Sequence, residues 1–137
     1  MNKKILLIDD DDDELYFFSE ALTETQHPYQ CISARSVEEG MKVLNIMRPE
    51  FIFLDINMPR INGFEGLELI KKLETVRDVP VILYSTAITE EVIKRGSLRG
   101  ATACMQKTGS ITALANSLRS FLDQRSLLPK ENNISLT

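Results

Sequence analysis

The chain is poor in the residues that build thiolate, disulfide or imidazole chemistry: its 137 residues include two cysteines and one histidine. Cys31 and Cys104 fall in separate apolar segments without CxxC spacing, which argues against a disulfide framework or a zinc site and for two small core residues. His27 precedes Pro28 in a polar connection, where a loop role fits better than metal ligation or general-base work. The longest apolar runs are strand-sized, and Met1-Asn2-Lys3-Lys4 is followed within a few residues by Asp9, leaving no signal peptide or spanning helix. A cytoplasmic chain without membrane association is the expectation. Basic runs are missing as well, and with a net charge of −4 nothing points to direct nucleic-acid binding. There is no GxGxxG and no glycine-rich phosphate loop, and neither an internal repeat nor a low-complexity segment is found.

What is present suits one domain of ordinary size, with 43% hydrophobic residues to fill a core and 26% charged residues to cover it. Lys4-Ile5-Leu6-Leu7-Ile8 reads as a strand that stops at the acidic run Asp9 to Glu14, after which Leu15, Phe18 and Leu22 share a helical face. A second strand is expected around Tyr29 to Ala34, and Ser36-Val37-Glu38-Glu39 has the form of a capping box opening a helix through Val43, Leu44 and Met47. Phe51-Ile52-Phe53-Leu54 is a continuous apolar run, as a strand buried on both faces requires, and it ends at Asp55, just ahead of Pro59. A helix with Phe64, Leu67, Ile70 and Leu73 on its apolar side follows, then a strand from Val79 to Tyr84 ending at Ser85-Thr86. Thr89-Glu90-Glu91 opens a helix that Gly96 and Gly100 punctuate, a weaker strand covers Ala101 to Gln106, and Ser110 caps a last helix through Leu114, Leu118, Phe121 and Leu122. Alternating strands and helices imply a parallel sheet covered on both faces, because parallel neighbours need right-handed crossovers. The expected fold is therefore a doubly wound α/β domain over residues 1–126. Residues 127–137, with Pro129 and Asn132-Asn133, read as a C-terminal tail or tether.

In such sheets ligands sit beyond the carboxyl ends of the strands. Asp9 and Asp10 end the first strand, Asp55 the third, Ser85 the fourth and Lys107 the fifth. Each residue alone has an ordinary explanation: acids favour a helix amino terminus by roughly 0.3–1 kcal/mol, a serine caps, a lysine is solvated, and a lone Asp55 caps the next segment. That ordinary role is assigned to Asp11, Asp12, Asp13 and Glu14. Convergence on one edge changes the reading of the others. Carboxylates facing each other are unfavourable unless a cation lies between them, and oxygen-only donors at an open edge suit Mg²⁺. The run is not an EF-hand loop, since Asp9 to Asp13 has no glycine at the turn and no terminal glutamate at the required distance. Carboxylate, Mg²⁺, hydroxyl and lysine together form a phosphoryl-binding site in which Asp55 can attack phosphorus to give an acyl phosphate. Without a phosphate loop, the donor is not expected to be a bound nucleotide.

Ile8-Asp9-Asp10, Asp55-Ile56-Asn57-Met58-Pro59 with Gly63, Pro80 to Ser85, and Lys107 in combination resemble the receiver domain of two-component response regulators, over about residues 3–124. The resemblance implies a flavodoxin-like, five-stranded sheet of order 2-1-3-4-5, an order general to flavodoxin-like folds. It implies that Asp55 is phosphorylated by a histidine kinase or a histidine phosphotransfer protein, with Asp10 and Asp55 ligating Mg²⁺, Asn57 contributing its backbone carbonyl and Asp9 acting indirectly. Ser85 matches the hydroxyl that reorients toward the phosphoryl group, and Lys107 the lysine that pairs with it. Two positions depart from the family pattern: Thr108 stands where a proline follows the lysine, and Cys104 stands where an aromatic switch residue lies three positions before it. The function expected is a stand-alone phosphoacceptor that catalyses its own phosphorylation and slow dephosphorylation and signals through contacts with a downstream protein. The alternative is a pseudo-receiver, a phosphorylation-independent interaction module that Cys104 and Thr108 would suit. A phosphatase with an Asp nucleophile and a second Asp two residues on ranks lower, because Asn57 occupies the general-acid position.

Overall fold

The structure, a computed structural model, describes residues 3–127 and 134–136. Strands β1 (Lys3–Ile8), β2 (Tyr29–Ala34), β3 (Phe51–Asp55), β4 (Val81–Ser85) and β5 (Ala103–Gln106) alternate with helices α1 (Asp12–Glu24), α2 (Val37–Leu44), α3 (Gly63–Lys71), α4 (Glu90–Leu98) and α5 (Ile111–Leu127). All strand pairs are parallel, and the first five strands lie in the order 2-1-3-4-5, as the resemblance implies. The tail departs from expectation. Ile134–Leu136 forms a sixth strand, β6, paired in parallel with β5 in the register Ala103↔Ile134 to Met105↔Leu136. A three-residue strand is too short to show a period of its own, and what orders it is the free hydrogen-bonding edge of β5. The rest of the tail expectation, at 128–133 and 137, lies outside the described residues.

Because successive strand residues face opposite ways, the same apolar runs supply two cores. Leu6, Ile8, Ile52, Leu54 and Leu83 face an aliphatic core closed by Val37 and Leu44 of α2 and by Leu67 and Ile70 of α3, with Val92 and Ile93 of α4 packed on it. Ile5, Leu7, Phe53, Ile82 and Tyr84 face the second core, closed by Phe18 and Leu22 of α1 and by Leu118, Phe121 and Leu122 of α5. Central β3 and β4 are buried along their whole lengths. The second core is aromatic: Phe53 meets Phe18, Phe121 and Tyr84 at ring-centroid distances of 4.9, 6.0 and 6.3 Å, each pair edge to face. Cys104 is buried in the aliphatic core and Cys31 is half-buried; burial raises both thiol pKa values to about 11, so both are inert as nucleophiles at neutral pH.

Helix starts follow the expected chemistry with one shift. Ser36 accepts from the Glu39 backbone N–H at 3.1 Å, but the Glu39 carboxylate returns to the N–H of Arg35 rather than that of Ser36. The reciprocal capping box forms instead at Asn62 and Glu65, where α3 begins. Helix α2 ends at Leu44 with Asn45 as its C-cap, so Met47 lies beyond it. His27 is not free in its loop: its Nε2 lies 2.9 Å from Asp123 Oδ1 on α5.

Replacing the fully buried Phe53 by alanine is expected to cost about 3–5 kcal/mol, because the rings of Phe18, Tyr84 and Phe121 cannot collapse into the space. Urea unfolding would show a lowered midpoint with an unchanged slope, since the surface exposed on unfolding stays nearly the same.

Candidate functional site: an acidic pocket with a buried lysine

The parallel register brings the strand ends together. Ile8 pairs with Leu54, Asp55 with Tyr84, and Ser85 with Gln106, so the residues just past each strand share one edge. Backbone bonds hold them there: Asp9 N–H donates to Ala34 O at 3.0 Å, Ile56 N–H to Tyr84 O at 3.3 Å and Lys107 N–H to Ser85 O at 2.7 Å. Gly63 sets the floor under Asp55. A Cβ at that position would lie 2.5 Å from the Asp55 carbonyl oxygen and 2.6 Å from Ile56 Cα, backbone atoms that cannot step aside, so only glycine allows α3 to start this close to the end of β3.

Lys107 is the organising charge. Its Nζ is 2.9 Å from Asp9 Oδ2 and 3.4 Å from Asp55 Oδ1, and the side chain is 12% exposed. Asp9 is fully buried; Oδ1 accepts from Asp11 N–H at 3.0 Å, whereas Oδ2 receives no well-directed hydrogen bond and relies on the nearby ammonium. Asp55 Oδ1 also accepts from Asn57 N–H at 3.2 Å. Burial, and then the Asp9 charge, push the Asp55 carboxyl up to about 6, against the opposing pull of Lys107. Burial likewise raises Asp9. For Lys107 burial works against the charged form, but the close contact with Asp9 and the charges of Asp9, Asp55 and Glu14 hold its pKa above the ordinary value.

One carboxylate oxygen from each of Asp9, Asp10 and Asp55 lies within 4.8 Å of the others. The donor set is all oxygen, Asp10 is exposed, and the buried Asp9 Oδ2 and the raised Asp55 carboxyl both have positive charge to gain. These residues fit a hard divalent cation such as Mg²⁺, which keeps part of its water shell at an open edge. Ser85 is buried at the end of β4, where its Oγ accepts from Ala87 N–H at 3.3 Å. After Lys107 the described chain has no cis peptide; Thr108 instead ties the turn by donating its hydroxyl to Ser110 O at 2.8 Å.

The acidic run divides differently from expectation. Asp11 is the N-cap of α1, accepting from Asp13 N–H at 2.9 Å, and Asp12 reaches Arg35 at 2.6 Å, as surface acids do. Glu14 is not a solvated cap. It is buried, and its Oε2 accepts the Tyr84 hydroxyl proton at 2.5 Å. A signal was available in its position four residues before Phe18, which puts it on the core face of the helix.

The raised Asp55 pKa has a consequence for stability. The folded state binds this proton more tightly than the unfolded state, so the penalty is absent below the ordinary value of 3.8, grows as pH rises and is complete above about 6. In metal-free buffer Asp55→Asn is therefore expected to stabilise the fold by about 1–3 kcal/mol near pH 7.5, and by little near pH 4. Denaturant unfolding at the two pH values checks this.

Comparison with known proteins identifies the family. The family model described as "Response regulator receiver domain" matches residues 5–119. The probable C4-dicarboxylate response regulator DctR of Bacillus subtilis is 27% identical over 105 residues, covering 77% of this chain but 46% of DctR, so the chain spans less than half of that relative. The polar-differentiation response regulator DivK of Brucella ovis is 26% identical over 125 residues, covering 89% of this chain and 98% of DivK. Among solved structures, the phosphorylated cyanobacterial phytochrome response regulator RcpA superposes with a TM-score of 0.78 at 27% identity, covering 90% of this chain and 93% of that one. With the fold and the matched family model in agreement, the chain belongs to the response regulator receiver domain family of two-component signalling.

Proposed function

We propose that Asp55 is the phosphoacceptor of a two-component phosphorelay. The observation that carries this reading is the Lys107 ammonium lodged between Asp9 and Asp55, with Asp10 completing a cluster of three carboxylates. In the proposed step an Asp55 carboxylate oxygen forms a bond to phosphorus as the N–P bond of a phosphohistidine breaks, its electron pair returning to the imidazole. The donor histidine belongs to a histidine kinase or a histidine phosphotransfer protein. Lys107 neutralises charge on the transferred oxygens, and the Ser85 hydroxyl, at the adjacent strand end, is the donor able to turn toward them. Asp10, Asp55 and the Asn57 backbone carbonyl would hold Mg²⁺, with Asp9 acting through water or hydrogen bonds. When bound, that ion supplies charge neutralisation at the phosphoryl oxygens and favours the ionised form of Asp55. At neutral pH a carboxyl titrating near 6 is already largely ionised, which a nucleophile requires. The phosphorylated state named for RcpA supports the same chemistry here.

Output then falls to contacts with a downstream protein. The full set of acids, hydroxyl and lysine favours this over a phosphorylation-independent module, which would have no use for a destabilising buried Asp55. No described helix is long and apolar enough to cross a membrane.

Incubation with Mg²⁺ and acetyl phosphate is expected to add one base-labile phosphoryl group to the wild type and none to Asp55→Asn, as read by intact mass. An unmodified wild type beside a labelled receiver control would refute the reading. Asp10→Asn is expected to abolish Mg²⁺ binding in calorimetry, whereas Asp12→Asn, on the Arg35 side of α1, leaves it within about two-fold; equal losses would show the ligand assignment to be wrong.

A further inference from the structure

Glu14 and Tyr84 form a buried polar pair that the phosphoryl chemistry does not use. Glu14 sits in the first turn of α1, and Tyr84 is the β4 residue immediately before Ser85. Their hydrogen bond satisfies both groups, and burial raises the pKa of each, so Tyr84 stays a phenol and donates. An acid and a phenol in an aromatic core cost desolvation that a leucine and a phenylalanine would not. The pair therefore invites the question of what it holds in place.

It holds a ring. The Tyr84 ring is set edge to face against Phe18 at 5.7 Å and Phe53 at 6.3 Å, and its hydroxyl end is tied to Glu14. Lys107 Nζ lies 5.4 Å from the ring centroid, within the range of a cation–π contact. The ammonium thus has three neighbours: Asp9 Oδ2 at 2.9 Å, Asp55 Oδ1 at 3.4 Å and the Tyr84 ring at 5.4 Å. Two of them are carboxylates whose charge is needed elsewhere in the reaction, and Asp55 loses its carboxylate charge once one of its oxygens is bonded to phosphorus. The ring face does not change. A lysine head on a flexible four-carbon stem gains a seat from a ring held between Phe18, Phe53 and Glu14.

We propose that Tyr84, with its hydroxyl tied to Glu14, is a positioning residue that seats the Lys107 ammonium beside Asp55. The proposal rests on the phosphoacceptor reading for its kinetic arm but not for its spectroscopic one.

The kinetic arm is a double-mutant cycle on acetyl phosphate labelling. Tyr84→Leu is expected to slow labelling roughly 3- to 30-fold when Lys107 is present, the range a partly buried cation–π contact supports, and less than about two-fold in a Lys107→Ala background. Glu14→Gln keeps an acceptor for the hydroxyl and is expected to preserve the rate, whereas Glu14→Leu slows it. Mg²⁺ affinity in calorimetry should stay within about two-fold of the parent for each Tyr84 or Glu14 substitution compared in the same Lys107 background, because the ring touches none of the proposed ligands. Equal slowing of Tyr84→Leu in both backgrounds, or no slowing in either, would overturn the proposal. If Tyr84→Leu loses its cooperative thermal transition, Tyr84→Phe, which keeps the ring and releases the hydroxyl, enters the same cycle with the same opposing outcomes.

The spectroscopic arm needs no phosphorylation. In the unmodified protein the Lys107 ε-methylene and ammonium resonances are expected upfield of ordinary lysine, shielded by the ring, and to return toward the ordinary position in the Tyr84 variant. Identical shifts in both proteins would overturn the proposal. An unlabelled wild type would instead sink the phosphoacceptor reading and leave this arm to decide the role of Tyr84.

Discussion

Two buried carboxylates share one ammonium at the end of the sheet, and much else in the molecule serves to make that arrangement tolerable. Asp9 is fully buried and Asp55 is 3% exposed, so each has lost most of its hydration. Their mutual repulsion adds to the cost and helps move the Asp55 carboxyl up to about 6. Lys107 offsets part of this from 2.9 and 3.4 Å, but a buried ion pair rarely repays its own desolvation in stability. The site is better described as stored unfavourable charge, which a divalent cation and then a phosphoryl group can use.

The cost is carried by a rigid frame. Strands β3 and β4, buried on both faces, deliver Asp55 and Ser85 to neighbouring positions with little freedom to drift. Below them the aromatic core of Phe18, Phe53, Tyr84 and Phe121 restrains ring orientation more tightly than an aliphatic core would, because edge-to-face contacts are directional. The opposite core is largely aliphatic, with Phe64 and Cys104 in it, so the two faces of the sheet differ in composition. Tyr84 joins the aromatic face to the site: its ring belongs to the aromatic core, its hydroxyl ends on Glu14, and its face meets Lys107.

Cys104 and Thr108 are the places where this chain parts from the family pattern, and both have ordinary local roles here. Cys104 fills the aliphatic core beside α4, where a small thiol leaves no side chain to swing toward solvent. Thr108 closes the turn after Lys107 with a hydroxyl-to-backbone bond that proline could not make. The fixed aromatic next to the site lies on β4, on the other face of the sheet from Cys104.

Much of the fold and the site was legible in the residues alone, because both depend on short-range patterns. Continuous apolar runs at 4–8, 51–54 and 79–84 announce two-sided strands, helical spacing at Phe64, Leu67 and Ile70 announces the cover, and parallel topology then obliges Asp9, Asp55, Ser85 and Lys107 to share an edge. What tertiary structure alone decided depends on contacts between residues far apart in the chain. Sequence treats Asp9 to Glu14 as one acidic run, yet packing buries Asp9 under Lys107, leaves Asp10 in solvent, and turns Glu14 inward to Tyr84, seventy positions away. Ile134–Leu136 has no pattern of its own and becomes a strand because β5 offers an unpaired edge. In each case the deciding energy lies in desolvation or in an open hydrogen-bonding edge, quantities that exist only once the chain has closed on itself.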